Sequence, residues 1–173
     1  VIVLITHDMS RSGAPLLLLN IARELSEQHH KRIILISTVD GELRLDFECY
    51  CHVICLKQNH LNYLECYEQV EELFYTLFDY SVNNVLANTI GSCLFVPVLE
   101  KYGFDYQILI HELPDVIERM NWTELVKSNL PQIKNGKAVY SSKFVLESHQ
   151  NNFDLPQKVD VIPQGMFHNV SYI

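Results

Sequence analysis

What the sequence lacks narrows its class. No apolar run reaches the ~18 residues of a membrane-spanning helix. The start, Val1–Ile5, has no basic residues before it and no cleavage signal after it, so it reads as a strand and not as a secretion signal. The fingerprint GxGxxG is absent, which removes the main support for an NAD or FAD domain. No GxxxxGK[ST] occurs, so a P-loop is excluded, and no GxSxG elbow marks a nucleophilic hydrolase. Basic residues are few, 13 against 21 acidic, giving a net charge of −8. Nucleic acid needs clustered Lys and Arg, so it is not an expected partner.

The five cysteines, Cys49, Cys51, Cys55, Cys66 and Cys93, are odd in number and form no CxxC pair. That pattern fits reduced thiols in a cytoplasm better than a disulfide framework. Cys49, Cys51 and Cys55 lie near His52, but the second ligand pair of a zinc site is missing. They read as small apolar filler around a short strand, and no metal or other cofactor is expected.

What is present is a regular alternation of apolar runs and helical patterns. Nearly half of the 173 residues are hydrophobic, enough for one domain over 1–173 that buries about 70% of its unfolded surface. Strands are expected at Val1–Thr6, Arg32–Thr38, His52–Leu56, Val82–Ala87, Tyr106–Ile110, Ala138–Ser141 and Val159–Ile162. Helices are expected at Ala14–Gln28, Leu61–Phe78, Ser92–Tyr102, Pro114–Ser128 and Lys143–Asn151. In the first, Leu18, Ile21, Ala22 and Leu25 share one face, and Pro15 fits the first turn. In the second, Tyr67, Val70, Phe74 and Leu77 form the apolar stripe. The sum is an α/β, Rossmann-like fold: a mainly parallel sheet of about seven strands with helices on both faces.

Ligands of such sheets bind outside the carboxyl ends of the strands. The residues that follow the strands are His7, Asp8 and Ser10–Gly13, then Asp40 and Gly41, Asn88 and Thr89, His111 and Glu112, Ser141 and Ser142, and Gln164 and Gly165. The loop Ser10-Arg11-Ser12-Gly13-Ala14 leads into a helix whose N-terminus carries free N–H groups and partial positive charge. A phosphate or sugar hydroxyl can sit there; equally, the loop can be a plain turn with Ser12 as N-cap. His111 ends a strand beside Glu112, whose charge favours a protonated ring. His7 and Asp8 form a second pair of this kind.

Thr6-His7-Asp8-Met9-Ser10-Arg11-Ser12-Gly13-Ala14-Pro15 resembles the opening of family 4 glycosyltransferases, which have the GT-B fold. Ser37–Leu43 resembles that family's second-strand turn, and Val85–Thr89 its fourth strand. Ile108-Leu109-Ile110-His111-Glu112 resembles its strand ending in His plus an acid. Val139–Ser142 and Val161-Ile162-Pro163-Gln164-Gly165 resemble its last two strands, with Gln164 where the family has Asn. The resemblance spans nearly the whole chain. It rests on the order and spacing of these stretches, since no single one is specific.

This likeness implies the N-terminal, acceptor-side half of a retaining glycosyltransferase. Its substrates would be a nucleotide-sugar donor and a glycan, lipid-linked or other acceptor. His111 would be the catalytic contact to the transferred sugar. Gly13 and Ala14, with Ser12 in the same loop, would approach the donor phosphate or acceptor. Asn88, Thr89 and Glu112 would shape the acceptor pocket. The family's donor half carries two glutamates eight positions apart, and no glutamate pair here has that spacing. The C-terminal donor-binding domain is thus expected outside these residues, and the isolated domain is expected to be inactive. Localisation is expected to be cytoplasmic, at most peripheral at the inner membrane face.

Leu113, Val116, Ile117, Met120, Trp122, Leu125 and Val126 leave two readings open: helix packing on the sheet, or an apolar patch for a lipid-linked acceptor. Few Lys or Arg accompany them, so strong binding to anionic lipid is not expected. Three rivals remain. A non-catalytic GT-B-like binding module would keep these residues as a recognition surface. A Rossmann oxidoreductase lacks its fingerprint. A regulatory flavodoxin-like domain normally has five strands.

Overall fold

A computed structural model describes residues 1–56, 63–79, 82 and 84–164. Its centre is one sheet of seven strands in the order β3-β2-β1-β4-β5-β6-β7. The strands are β1 (Ile2–Thr6), β2 (Ile33–Ser37), β3 (His52–Cys55), β4 (Asn84–Asn88), β5 (Asp105–Ile110), β6 (Lys137–Tyr140) and β7 (Val159–Val161). Every pairing is parallel. The helices are α1 (Gly13–Glu27), α2 (Arg44–Glu48), α3 (Tyr63–Asp79), α4 (Val96–Lys101), α5 (Pro114–Arg119), α6 (Thr123–Asn129) and α7 (Lys143–Gln150). The strand order reverses direction between β1 and β4, which places a crevice at their carboxyl ends.

Alternation along the strands feeds two cores. Val3, Ile5, Ile36, Ala87, Ile108 and Ile110 point to the face covered by α3, α4, α5, α6 and α7. Leu4 and Leu35 point to the other face, where Leu18 and Ala22 of α1 and Phe47 of α2 meet them. On the first face Phe74 sets its ring edge-on to Phe104 at 5.4 Å, both essentially fully buried. Each such side chain contributes roughly 1.5–3 kcal/mol by leaving water.

Most sequence expectations hold, with physical reasons for the exceptions. The short α2 was not expected; only Phe47 of its five residues is buried, too little for a period to be visible. The helix expected from Ser92 begins earlier, as a 3-10 turn over Ile90–Phe95, before Val96 and Pro97 start α4. Pro114–Ser128 is two helices, broken where Asn121 takes φ +56°. Leu61, Gly165 and the side chains of Cys66 and Tyr67 lie outside the described residues.

The apolar residues of the α5–α6 region turn mainly inward. Ile117 and Val126 are fully buried, while Leu113, Trp122 and Leu125 pack against the core and Met120 is exposed. Ordinary packing therefore accounts for most of this stretch. No helix among the described residues is long and apolar enough to cross a membrane. Among the described residues no group of three His, Cys, Asp or Glu is placed to hold a metal ion. Cys51 is buried and its thiol is pushed up to about 12 by burial, whereas Cys49 is exposed.

Candidate functional site

The site is built at the reversal of strand order, where the ends of β1, β4 and β5 meet the start of α1. Ser12 is the N-cap residue, with extended backbone, and its carbonyl accepts from Leu16 N at 3.1 Å. Its hydroxyl makes no capping bond and instead pairs with the Ser10 hydroxyl at 3.0 Å. Among the described residues the N–H groups of Gly13 and Ala14 have no partner, and no acidic side chain sits in that first turn. This is an uncapped helix N-terminus, suited to an anion. Gly13 does not have positive φ, and a Cβ built there meets nothing within 4 Å. The fold itself therefore does not require glycine at this position, neither for space nor for an unusual backbone.

Asn88, the last residue of β4, is fully buried and joins three elements. Its Nδ2 donates to the Ala14 carbonyl at 2.7 Å, and its Oδ1 meets His111 Nε2 at 2.9 Å. A carbonyl can only accept, so the amide nitrogen must face Ala14 and the amide oxygen must face the imidazole. His111 Nε2 therefore carries the proton. Burial depresses the affinity of this ring for a second proton, and the Glu112 charge opposes that only in part. The protonated ring expected from the His-Glu neighbourhood is thus not favoured. Glu112 is turned away: its Oε2 accepts from Ile90 N at 3.1 Å and His111 N at 3.2 Å. His111 is left neutral, with Nδ1 as an acceptor that has no partner among the described residues.

Sequence reasoning did not anticipate the support behind this group. His149 of α7 is fully buried, and its Nε2 donates to the Glu112 carbonyl at 2.8 Å. Burial holds its ring below the ordinary value, outweighing that hydrogen bond and the Glu112 charge. Thr89, also fully buried, has φ +76°, a region that β-branched residues rarely enter. It is held by Thr89 N donating to Leu109 O at 2.9 Å and by Oγ1 meeting His7 Nδ1 at 3.0 Å. His7 also approaches Asp8 at 3.4 Å and sets its ring edge-on to Trp122 at 5.3 Å. Strained backbone of this kind collects at functional sites.

Two hollows open on the rim. One, of about 280 Å³, is lined by Gly13, Ala14, Leu17, His111 and Gln164. The other, larger at about 810 Å³ and shallower, lies between the loops after β1 and β2 and includes Asp8, Ser10, Asp40 and Arg44. Arg44 is engaged by Asp40 at 2.8 Å and Glu48 at 2.9 Å, so these charges largely satisfy one another. The smaller hollow combines unpartnered donors and acceptors, and we assign the candidate site to it. Of the residues expected from sequence, Gly13, Ala14 and His111 line it. Ser12 stands at its edge in the same loop, while Asn88, Thr89 and Glu112 lie behind as supports.

No protein-family model matches the sequence, and no curated protein matches it. Among solved structures, the chain is similar to a UGT transferase from Siraitia grosvenorii in complex with UDP. The identity is 12% and the TM-score 0.54, over 99% of this chain and 53% of that one. The fold is that of a GT-B half domain. This chain spans about half the length of that transferase.

Proposed function

We propose that this chain is the N-terminal, acceptor-side half of a glycosyltransferase that uses a nucleotide-sugar donor and transfers to a glycan, lipid-linked or other acceptor. One observation carries the reading. At the crevice of a GT-B half domain, a neutral His111 with an unpartnered Nδ1 lines the same hollow as the unpartnered N–H groups of Gly13 and Ala14. Hydrogen-bond donors and the positive end of a helix dipole stabilise a diphosphate as charge builds on it. A nearby lone pair accepts a sugar hydroxyl. Nucleotide sugars carry both groups in one molecule. The neighbour's UDP is consistent with this class.

In this proposal Gly13 and Ala14 hold the donor phosphate, with Ser12 shaping the loop, and His111 orients the transferred sugar. Asn88, Thr89 and Glu112 keep the acceptor wall in shape. A second, donor-binding domain would close over the site, exclude water and aim the acceptor hydroxyl. The isolated half would then be inactive. No metal is invoked, because the helix N-terminus supplies the phosphate contacts. The sequence features that match family 4 make that family our reading, with a cytoplasmic site of action.

The test is transfer activity of the full-length protein with a panel of nucleotide sugars. Release of nucleoside diphosphate that is lost on His111→Ala, with the melting temperature preserved, is the expected result. Absence of both transfer and donor hydrolysis across the panel would overturn the catalytic reading.

A further inference from the structure

Gln164 follows β7 and stands beside His111 in the lining of the smaller hollow. Ile162 N donates to Tyr140 O at 3.0 Å, so the chain still runs along β6 as it reaches this residue. The Gln164 Nε2 then donates to the Val139 carbonyl at 3.0 Å. That bond fixes the amide: reversed, its oxygen would confront another oxygen. Oε1 is consequently committed to the opposite direction. It is buried and has no hydrogen-bond partner, the only such side-chain atom among the described residues. A buried acceptor without a donor is costly and calls for an explanation.

We infer that Gln164 is a specificity-determining residue whose Oε1 accepts a hydrogen bond from a ring hydroxyl of the bound sugar. Gln164 and His111 line one hollow with the first residues of α1, and each carries an acceptor, Oε1 and Nδ1, whose direction is fixed by the bond its other polar atom makes. A ligand that fills all of them has hydroxyl groups at one end and an anion at the other. Inorganic phosphate or diphosphate supplies the anion but leaves the two acceptors unmet. Sugars lacking the relevant hydroxyl leave Oε1 unsatisfied, and a site built in this way discriminates strongly against them. This inference rests on the nucleotide-sugar reading above and adds which residue reads the sugar.

The experiment is a double-mutant cycle between side chain and ligand. The full-length protein and its Gln164→Met variant are titrated calorimetrically with UDP, UDP-glucose and the set of monodeoxy analogues of UDP-glucose. In the wild-type protein one monodeoxy analogue is expected to bind roughly tenfold more weakly than UDP-glucose. In Gln164→Met that analogue and UDP-glucose should bind alike, with UDP affinity unchanged. An unchanged melting temperature and retained UDP binding in Gln164→Met separate loss of the hydrogen bond from loss of folding. Equal loss for every analogue in wild type and Gln164→Met would overturn the role of Gln164 alone. Failure of the wild-type protein to bind UDP or UDP-glucose would overturn the donor reading on which it rests.

Discussion

His111 Nε2 lies 2.9 Å from Asn88 Oδ1, and the direction of that bond is dictated by a third group, the Ala14 carbonyl, 2.7 Å from the other end of the same amide. The protonation site of the histidine is thereby set from the start of α1. Asn88→Asp replaces a donor by a second acceptor. The carboxylate would oppose the Ala14 carbonyl and favour an imidazolium at His111. The expected outcome is an upward shift of the His111 titration, followed by ring NMR, with a loss of about 1–3 kcal/mol in urea unfolding. An unchanged His111 titration would show that the amide does not control the ring.

Gly13→Ala should separate stability from binding. The added methyl meets no atom within 4 Å, so the fold accommodates it. Alanine in a helix is favoured over glycine by up to about 1 kcal/mol. Melting temperature should hold or rise, while affinity for UDP falls, because the methyl stands in the lined hollow. Undiminished UDP binding by Gly13→Ala would remove this residue from the phosphate site.

Gly41→Ala should behave in the opposite way. A Cβ there would lie 2.4 Å from both the carbonyl carbon and oxygen of Met9. Those atoms are backbone, and Met9 O also accepts from Leu43 N at 2.9 Å. The loops after β1 and β2 must separate to admit the methyl. A destabilisation of roughly 1–3 kcal/mol is expected in chemical denaturation. A variant as stable as wild type would mean that this contact is loose.

Acid should weaken the fold through its buried histidines. Both His149 and His111 hold fewer protons when folded than their ordinary value of 6.5 allows, chiefly because of burial. Their contribution is therefore complete above that value. It is lost as pH falls, because the unfolded chain takes up protons that the folded one resists. Melting temperature should drop between about pH 7.5 and about pH 5. His149→Gln, which can still donate to the Glu112 carbonyl, should show a shallower decline. An equal slope in both proteins would locate the acid sensitivity elsewhere.

The sheet was legible because a buried parallel strand is a short apolar run, and Val3-Leu4-Ile5 or Ile108-Leu109-Ile110 admits few other readings. The rim was legible for the same reason: polar residues that end such runs must lie at strand ends. The clamp was not. Asn88 and Ala14 are 74 positions apart, and nothing local announces that they meet. His149 looks like one more polar residue on a surface helix, until the fold turns it inward against Tyr140. Thr89 gives no sign of its positive φ, since its backbone N–H is held by Leu109 of β5 and its hydroxyl by His7, just past β1. Gln164 was visible as a departure from a resembling stretch, but its unpartnered oxygen depends on where Val139 lies.

Asn88 and Gln164 share one device. Each presents its amide nitrogen to a main-chain carbonyl, of Ala14 in one case and Val139 in the other. A side chain alone can rotate to suit whatever arrives, but an amide held by a peptide group inherits the orientation of the secondary structure beneath it. Polarity at this opening is therefore a property of the scaffold. Redesigning it for a ligand of inverted donor-acceptor pattern would require replacing both amides or moving the strands, since no change of rotamer is open to either while its carbonyl stays in place.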